Sequence, residues 1–112
     1  MRNMSFALTT QQIRNKTKTV TRRLGWTFVK TGDLIQAVEK CQGLKKGEKV
    51  KRLVVLKIVN VRRERLAQIT AGDIRREGFG QMSFYDFCEM FCHSHKGCGL
   101  QTMVTRIEFE YI

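Results

Sequence analysis

Apolar positions along this chain repeat with two different periods, and the switches between them mark the elements. Leu53 to Val61 begins as a continuous apolar run and then alternates, which predicts a central strand. Arg62-Arg63-Glu64-Arg65 carries that strand out to solvent. Thr102 to Tyr111 predicts a last strand, with Val104 and Ile107 to Tyr111 mixing apolar residues with Glu108 and Glu110. Shorter strands are predicted over Ser5 to Leu8 and Leu34 to Val38. Phe84, Phe87, Cys88 and Phe91 fall at i, i+3, i+4 and i+7, one apolar helix face whose aromatics read as core. A second short helix starts at Thr70 with Asp73 in its first turn, runs through Glu77 and stops at Gly78. A third spans Thr9 to Arg14, with Thr9 or Thr10 as its cap.

The stretch Lys16-Thr17-Lys18-Thr19-Val20-Thr21-Arg22-Arg23 also alternates, but almost without apolar residues. Thr17, Thr19, Thr21 and Arg23 fall on one side of a strand, and Lys16, Lys18, Val20 and Arg22 on the other. It reads either as a Lys-protected edge strand or as a site where cations and hydroxyls meet an anionic or carbonyl-bearing ligand. Trp26 follows, as a core anchor or as a ring that stacks on a base. The predicted order is strand, helix, three strands, two helices, strand. Its connections point to an α+β domain spanning residues 1–112, a small curled sheet or β-barrel flanked by short helices.

Charge narrows the partners. Lys and Arg number 21 against 10 Asp and Glu, a net charge of +11. Between Lys40 and Arg65 lie ten cations and two anions. Lys45, Lys46, Lys49, Arg62 and Arg63 are therefore candidate contacts for phosphates, against the plainer reading of a solvated face. The implied partner is a nucleoside, a nucleotide or RNA rather than a membrane surface. No apolar run is long enough to cross a bilayer, and the first residues lack a signal-peptide core, so a cytoplasmic setting is expected.

Four cysteines are present, and in that setting they are expected to be reduced. Cys92, His95 and Cys98 have ligand-like spacing, with Cys88 nearby and Cys41 a poor partner for a second pair. The reading favours a loop without metal, and no cofactor is expected.

Lys18 to Arg23, then Lys30-Thr31-Gly32-Asp33, then Thr70 through Glu77 resemble the ASCH domain family, in order and spacing over nearly the whole chain. The resemblance implies a PUA-like β-barrel. The basic loop, the paired arginines and the Val-Thr-Arg-Ile-Glu-Phe ending look like phage and prophage members. Three activities occur in proteins of this kind: RNA binding, RNA cleavage by a ribonuclease, and hydrolysis of the amide of N4-acetylcytidine. For the amidohydrolase branch, the resemblance assigns the catalytic lysine to Lys18, the threonine to Thr21 and the glutamate to Glu77. Arg22 or Arg23 is then the group that polarises the acyl oxygen or holds a phosphate. The long basic loop and the Cys/His segment depart from that branch. On a flat strand, Lys18 and Thr21 would also face opposite ways.

Overall fold

A computed structural model describes residues 1–40 and 43–112, so Cys41 lies outside the described residues. The strands are β1 (Arg2–Ser5), β2 (Val20–Arg23), β3 (Leu34–Val38), β4 (Arg52–Arg65) and β5 (Met103–Tyr111). They form one sheet in the order β1-β3-β4-β5-β2. β1 runs parallel to β3, and every other pairing is antiparallel. The helices are α1 (Thr10–Arg14), α2 (Ala71–Arg76) and α3 (Phe84–Cys92). This is the α+β class expected, with the sheet curled into a half-barrel.

The first strand sits earlier than the apolar pattern placed it. Phe6 is buried and donates its N–H to the Val38 carbonyl at 2.9 Å, after which the chain turns into α1. The basic stretch is likewise shorter as a strand than its alternation implied. Lys16 takes a positive φ of 61°. The N–H of Thr17 and of Lys18 then go to the Gln12 carbonyl, and that of Thr19 to the Arg76 carbonyl. Pairing begins only at Val20, opposite Glu108. β4, by contrast, stays paired out to Arg65, which matches Met103, so Glu64 is buried rather than solvated.

Two apolar clusters result, and they divide the sheet's faces between them. Met4, Phe6, Ile13, Ile35, Leu56, Ile58, Ile107 and Phe109 form one, which joins α1 to the sheet. Leu66, Ile69, Ile74, Phe87, Cys88 and Val104 join α2 and α3 to β5. β5 buries Val104 through Ile107 and Phe109, so both its faces are covered. Burial of each large apolar side chain contributes roughly 1.5–3 kcal/mol. The two edges of the sheet are drawn together by one side chain. Arg23 Nη2 on β2 donates to the Ser5 carbonyl of β1 at 2.6 Å, with its guanidinium 4.8 Å from the centre of the Phe6 ring.

Candidate functional site

β2 is an edge strand and Lys18 precedes it, so a cavity can wrap that edge and take side chains from both faces. Such a cavity, about 430 Å³, is lined by Lys18, Thr21, Arg22, Arg23 and Glu77 together. That size falls within the range of small-molecule sites, about 300–1,000 Å³. Its opposite wall comes from the turn after β1, including Phe6 and Thr9, and from Phe79, Phe87, Met90, Phe91, Ser94 and His95. Thr21 Oγ1 accepts from Arg23 Nε at 3.2 Å.

Lys18 is 2% exposed. Its Nζ donates to the Glu77 carbonyl at 2.6 Å and to Glu77 Oε1 at 3.0 Å. It also lies 5.5 Å from the centre of the Phe79 ring. Burial lowers the Lys18 pKa below its ordinary value; the Glu77 charge opposes the shift, and Arg23 and Arg22 reinforce it. The main chain of this segment is held from three sides: Gln12 and Arg76 accept its N–H groups, and the Tyr111 hydroxyl donates to the Lys18 carbonyl at 2.5 Å.

Glu77 is fixed by α2. Thr70 caps that helix by accepting the Asp73 N–H at 3.1 Å, and Glu77 sits at its C-terminal end before Gly78, whose φ is +95°. Behind Lys18 and Glu77 lies a buried ion network. Arg22, with no side-chain exposure, donates to Glu77 Oε2 at 3.3 Å, Glu64 Oε2 at 2.8 Å and Asp73 Oδ2 at 2.5 Å. Arg106 adds two bonds to Asp73, at 2.7 and 3.1 Å. The Arg106 hydrogen bonds, against burial and with help from Arg22, hold the Asp73 carboxyl well below the usual carboxylate range. Burial pushes Glu64 up, but hydrogen bonds from Arg22 and Arg62 outweigh it and lower its pKa. Arg22 and Arg106 thus supply the buried positive charge that faces Glu64, Asp73 and Glu77, as buried carboxylates require.

The other residues singled out from sequence lie elsewhere. Trp26 is half-buried against the cluster that contains Met4 and Phe6, its ring 5.1 Å from that of Phe28, and does not line this cavity. Lys45, Lys46 and Lys49 sit on the loop between β3 and β4, away from the cavity lining. Arg62 pairs with Glu64 at 2.7 Å and Arg63 donates to Thr105 Oγ1 at 2.7 Å. Sequence reasoning missed Glu64, Asp73 and Arg106 as supports, and took the α3 aromatics for core alone. Extending that helix face from Phe87 and Phe91 by seven and four residues reaches Ser94 and His95, the signal that would have found the wall.

The cysteines depart from the reduced set expected. Cys92 and Cys98 form a disulfide with Cα atoms 5.1 Å apart, a separation in the ordinary range, and Cys88 is free and buried. A short turn after α3 brings the two together, and the expectation of reduction rested on compartment rather than geometry. The bond takes both sulfurs from the Cys92, His95, Cys98 ligand set. Among the described residues no group of three or more His, Cys, Asp or Glu side chains is arranged to hold a metal ion.

No helix among the described residues is long and apolar enough to cross a membrane. No protein-family model matches the sequence, and no curated protein matches it significantly. Solved structures do match the fold. The ASCH domain from Lactobacillus crispatus superposes with a TM-score of 0.68 at 14% identity, covering 98% of this chain and 78% of that one. A protein of Enterococcus faecalis, from a family of unknown function, gives 0.67 at 10% identity over 99% of this chain and 75% of its own. A hypothetical protein gives 0.68 at 17% identity, covering 99% of this chain and 96% of that one. The chain therefore has the fold of an ASCH domain.

Proposed function

We propose that this protein is an amidohydrolase that removes an N4-acyl group from a cytidine-type nucleoside or nucleotide. The observation that carries the reading is Lys18, a buried amine with a lowered pKa that shares a cavity with a threonine hydroxyl and a carboxylate. A neutral amine has two N–H groups and one lone pair. The carbonyl and Oε1 of Glu77 can take both N–H groups, which leaves the lone pair to accept a proton.

Thr21 acts as nucleophile: its proton passes to Lys18 Nζ as Oγ1 adds to the acyl carbon. The tetrahedral intermediate collapses with cleavage of the C–N4 bond, and that proton moves from Lys18 to N4. Water then splits the acyl-threonine by the same proton route and releases the carboxylic acid. Glu77 orients Lys18, and Arg22 holds Glu77. Arg23 is the donor for the acyl oxygen or for a phosphate. The partly exposed rings of Phe79 and Phe91 offer faces for the base. A cytoplasmic setting, where nucleosides and RNA are met, fits this reading.

Incubation with N4-acetylcytidine, followed by chromatography, should yield cytidine and acetate. Lys18→Arg should fold and lose about 10²–10⁴-fold in rate, because a guanidinium does not release its proton near neutrality. Full activity in Lys18→Arg would remove Lys18 from its role. A second reading, a module that binds RNA without chemistry, is favoured by the ten-to-two charge bias between Lys40 and Arg65, which lies mainly outside the cavity. No turnover by the folded parent, with salt-sensitive RNA binding, would select it. Cleavage of the RNA during that binding assay would instead indicate a ribonuclease.

A further inference from the structure

The end of α3 is where the cavity begins. Met90 and Phe91 on the helix, and Ser94 and His95 in the turn after it, line the space that holds Lys18. The His95 ring lies 5.7 Å from that of Phe91. The turn is closed by the Cys92–Cys98 disulfide and by two hydrogen bonds. In these, the His95 N–H donates to the Cys92 carbonyl and the Cys98 N–H to the His95 carbonyl, both at 3.1 Å. Cys92 and Cys98 also line a different cavity, about 300 Å³, with Cys88, Tyr85, Glu89 and Leu100. One short loop therefore has its covalent staple in one cavity and its imidazole in the other.

We propose that the Cys92–Cys98 disulfide is a thiol-reducible latch that sets the position of His95 and Ser94 in the Lys18 cavity, and that the second cavity is where a small dithiol reductant engages. A thiolate of the dithiol attacks one cysteine sulfur. The protein S–S bond breaks, a mixed disulfide forms, and the other cysteine leaves as a thiolate that takes a proton. The second thiolate of the reductant then attacks its own bound sulfur and releases the remaining cysteine. Two electrons pass to the protein, and the dithiol departs as a cyclic disulfide. Burial pushes the Cys88 thiol up, so it stays protonated and does not compete as the attacking group.

Reduction leaves three backbone hydrogen bonds, the third from the His93 N–H to the Met90 carbonyl at 3.3 Å, to hold a loop whose residues 93–97 are all exposed. Turns with so little buried apolar anchorage open at low cost. Ser94 and His95 then leave the wall. Lys18, Thr21 and Glu77 stay, because α2, β2 and the Gln12 carbonyl hold them. His95 and Ser94 act on the part of the substrate nearest the α3 side of the cavity, so the latch tunes binding rather than the chemical step.

The kinetic part of this inference rests on the amidohydrolase reading; the latch does not. Thiols counted on denatured protein should rise by two after dithiothreitol. In the folded protein, dithiothreitol should move the NMR resonances of Ser94 and His95 and leave those of Thr21 and Glu77 in place. A Cys92→Ser/Cys98→Ser variant should give the reduced spectrum and ignore the reagent. With N4-acetylcytidine, reduction should raise KM on the order of tenfold, equivalent to one or two lost hydrogen bonds, at nearly constant kcat. The latch is overturned if no thiols are gained, if the His95 resonances coincide in both states, or if KM is unchanged for a substrate that is turned over. Absence of turnover would count against amide hydrolysis alone, since the thiol count and the resonances do not depend on it.

Discussion

Replacing Gly78 with alanine should disturb the candidate active site from a position that carries no side chain. Its φ of +95° lies where an L-residue pays about 1–3 kcal/mol. An added methyl would also meet Gln12 Cγ at 2.8 Å and Gln12 Cβ at 3.0 Å, with Lys18 Cβ at 3.6 Å. Those Gln12 atoms are the root of the side chain, so relief requires movement of α1, at about 1–3 kcal/mol for overpacking. Reduced freedom in the unfolded chain returns about 0.4–1 kcal/mol. The net expectation is a loss of about 1–6 kcal/mol. The same Gln12 carries the Thr17 and Lys18 N–H groups on its carbonyl and donates Nε2 to the Gly78 carbonyl at 3.0 Å, so Lys18 should shift with it. Urea unfolding followed by Trp26 fluorescence gives the stability, and hydrolysis of N4-acetylcytidine gives the displacement. A variant within about 0.5 kcal/mol of the parent and equally active would refute the argument.

Asp73→Asn should cost about 3–5 kcal/mol in thermal or urea unfolding, because Arg22 and Arg106 lose the carboxylate they share while both remain buried. Activity should climb with pH through the lowered Lys18 pKa and level off above it. Between that pKa and 10.5 the unfolded lysine binds a proton that the folded one does not, so stability should also rise with pH there, by an increment absent in Lys18→Met. On the acid side, the lowered pKa values of Asp73 and Glu64 mean their stabilisation is complete above the ordinary carboxylate range and is lost progressively as pH falls from there through their folded values; unfolding midpoints against pH would check this. RNA affinity should fall steeply between low and high salt, and Lys45→Gln/Lys46→Gln/Lys49→Gln should flatten that slope in a filter-binding titration.

Much of the frame was legible because it is written in local periods. The apolar alternation of β4 and β5 and the capping pattern at Thr70 need no knowledge of distant residues. The candidate site was legible in part. The strand reading of Lys16 to Arg23 put Lys18 and Thr21 on opposite faces, and the alternation gave no hint that carbonyls from Gln12 and Arg76 take up the N–H groups of residues 17–19. Nor could it show that β2 forms an edge, the place where opposite faces can open on one cavity. The ion network was illegible for a related reason: Arg22 meets Glu64, Asp73 and Glu77 only after the chain has folded over more than forty positions. The disulfide was set aside on the ground of compartment, an argument that says nothing about whether a turn brings two sulfurs together.

The sheet order has a consequence for how the molecule is made. Val20 pairs with Glu108, so β2 leaves the ribosome long before the strand that receives it. β5 is also the partner of β4, and it carries Arg106 into the buried network and Tyr111 onto the Lys18 carbonyl. A nascent chain can pair β3 with β4, and can close Arg22 on Asp73, but the edge that bears Thr21 has no sheet to join until residues 103–111 emerge. Such long-range closure is slow compared with local helix formation. The basic stretch therefore has no strand to pair with until β5 is made, and the lysines and arginines along it are of the kind that disfavours pairing between unpaired strand edges.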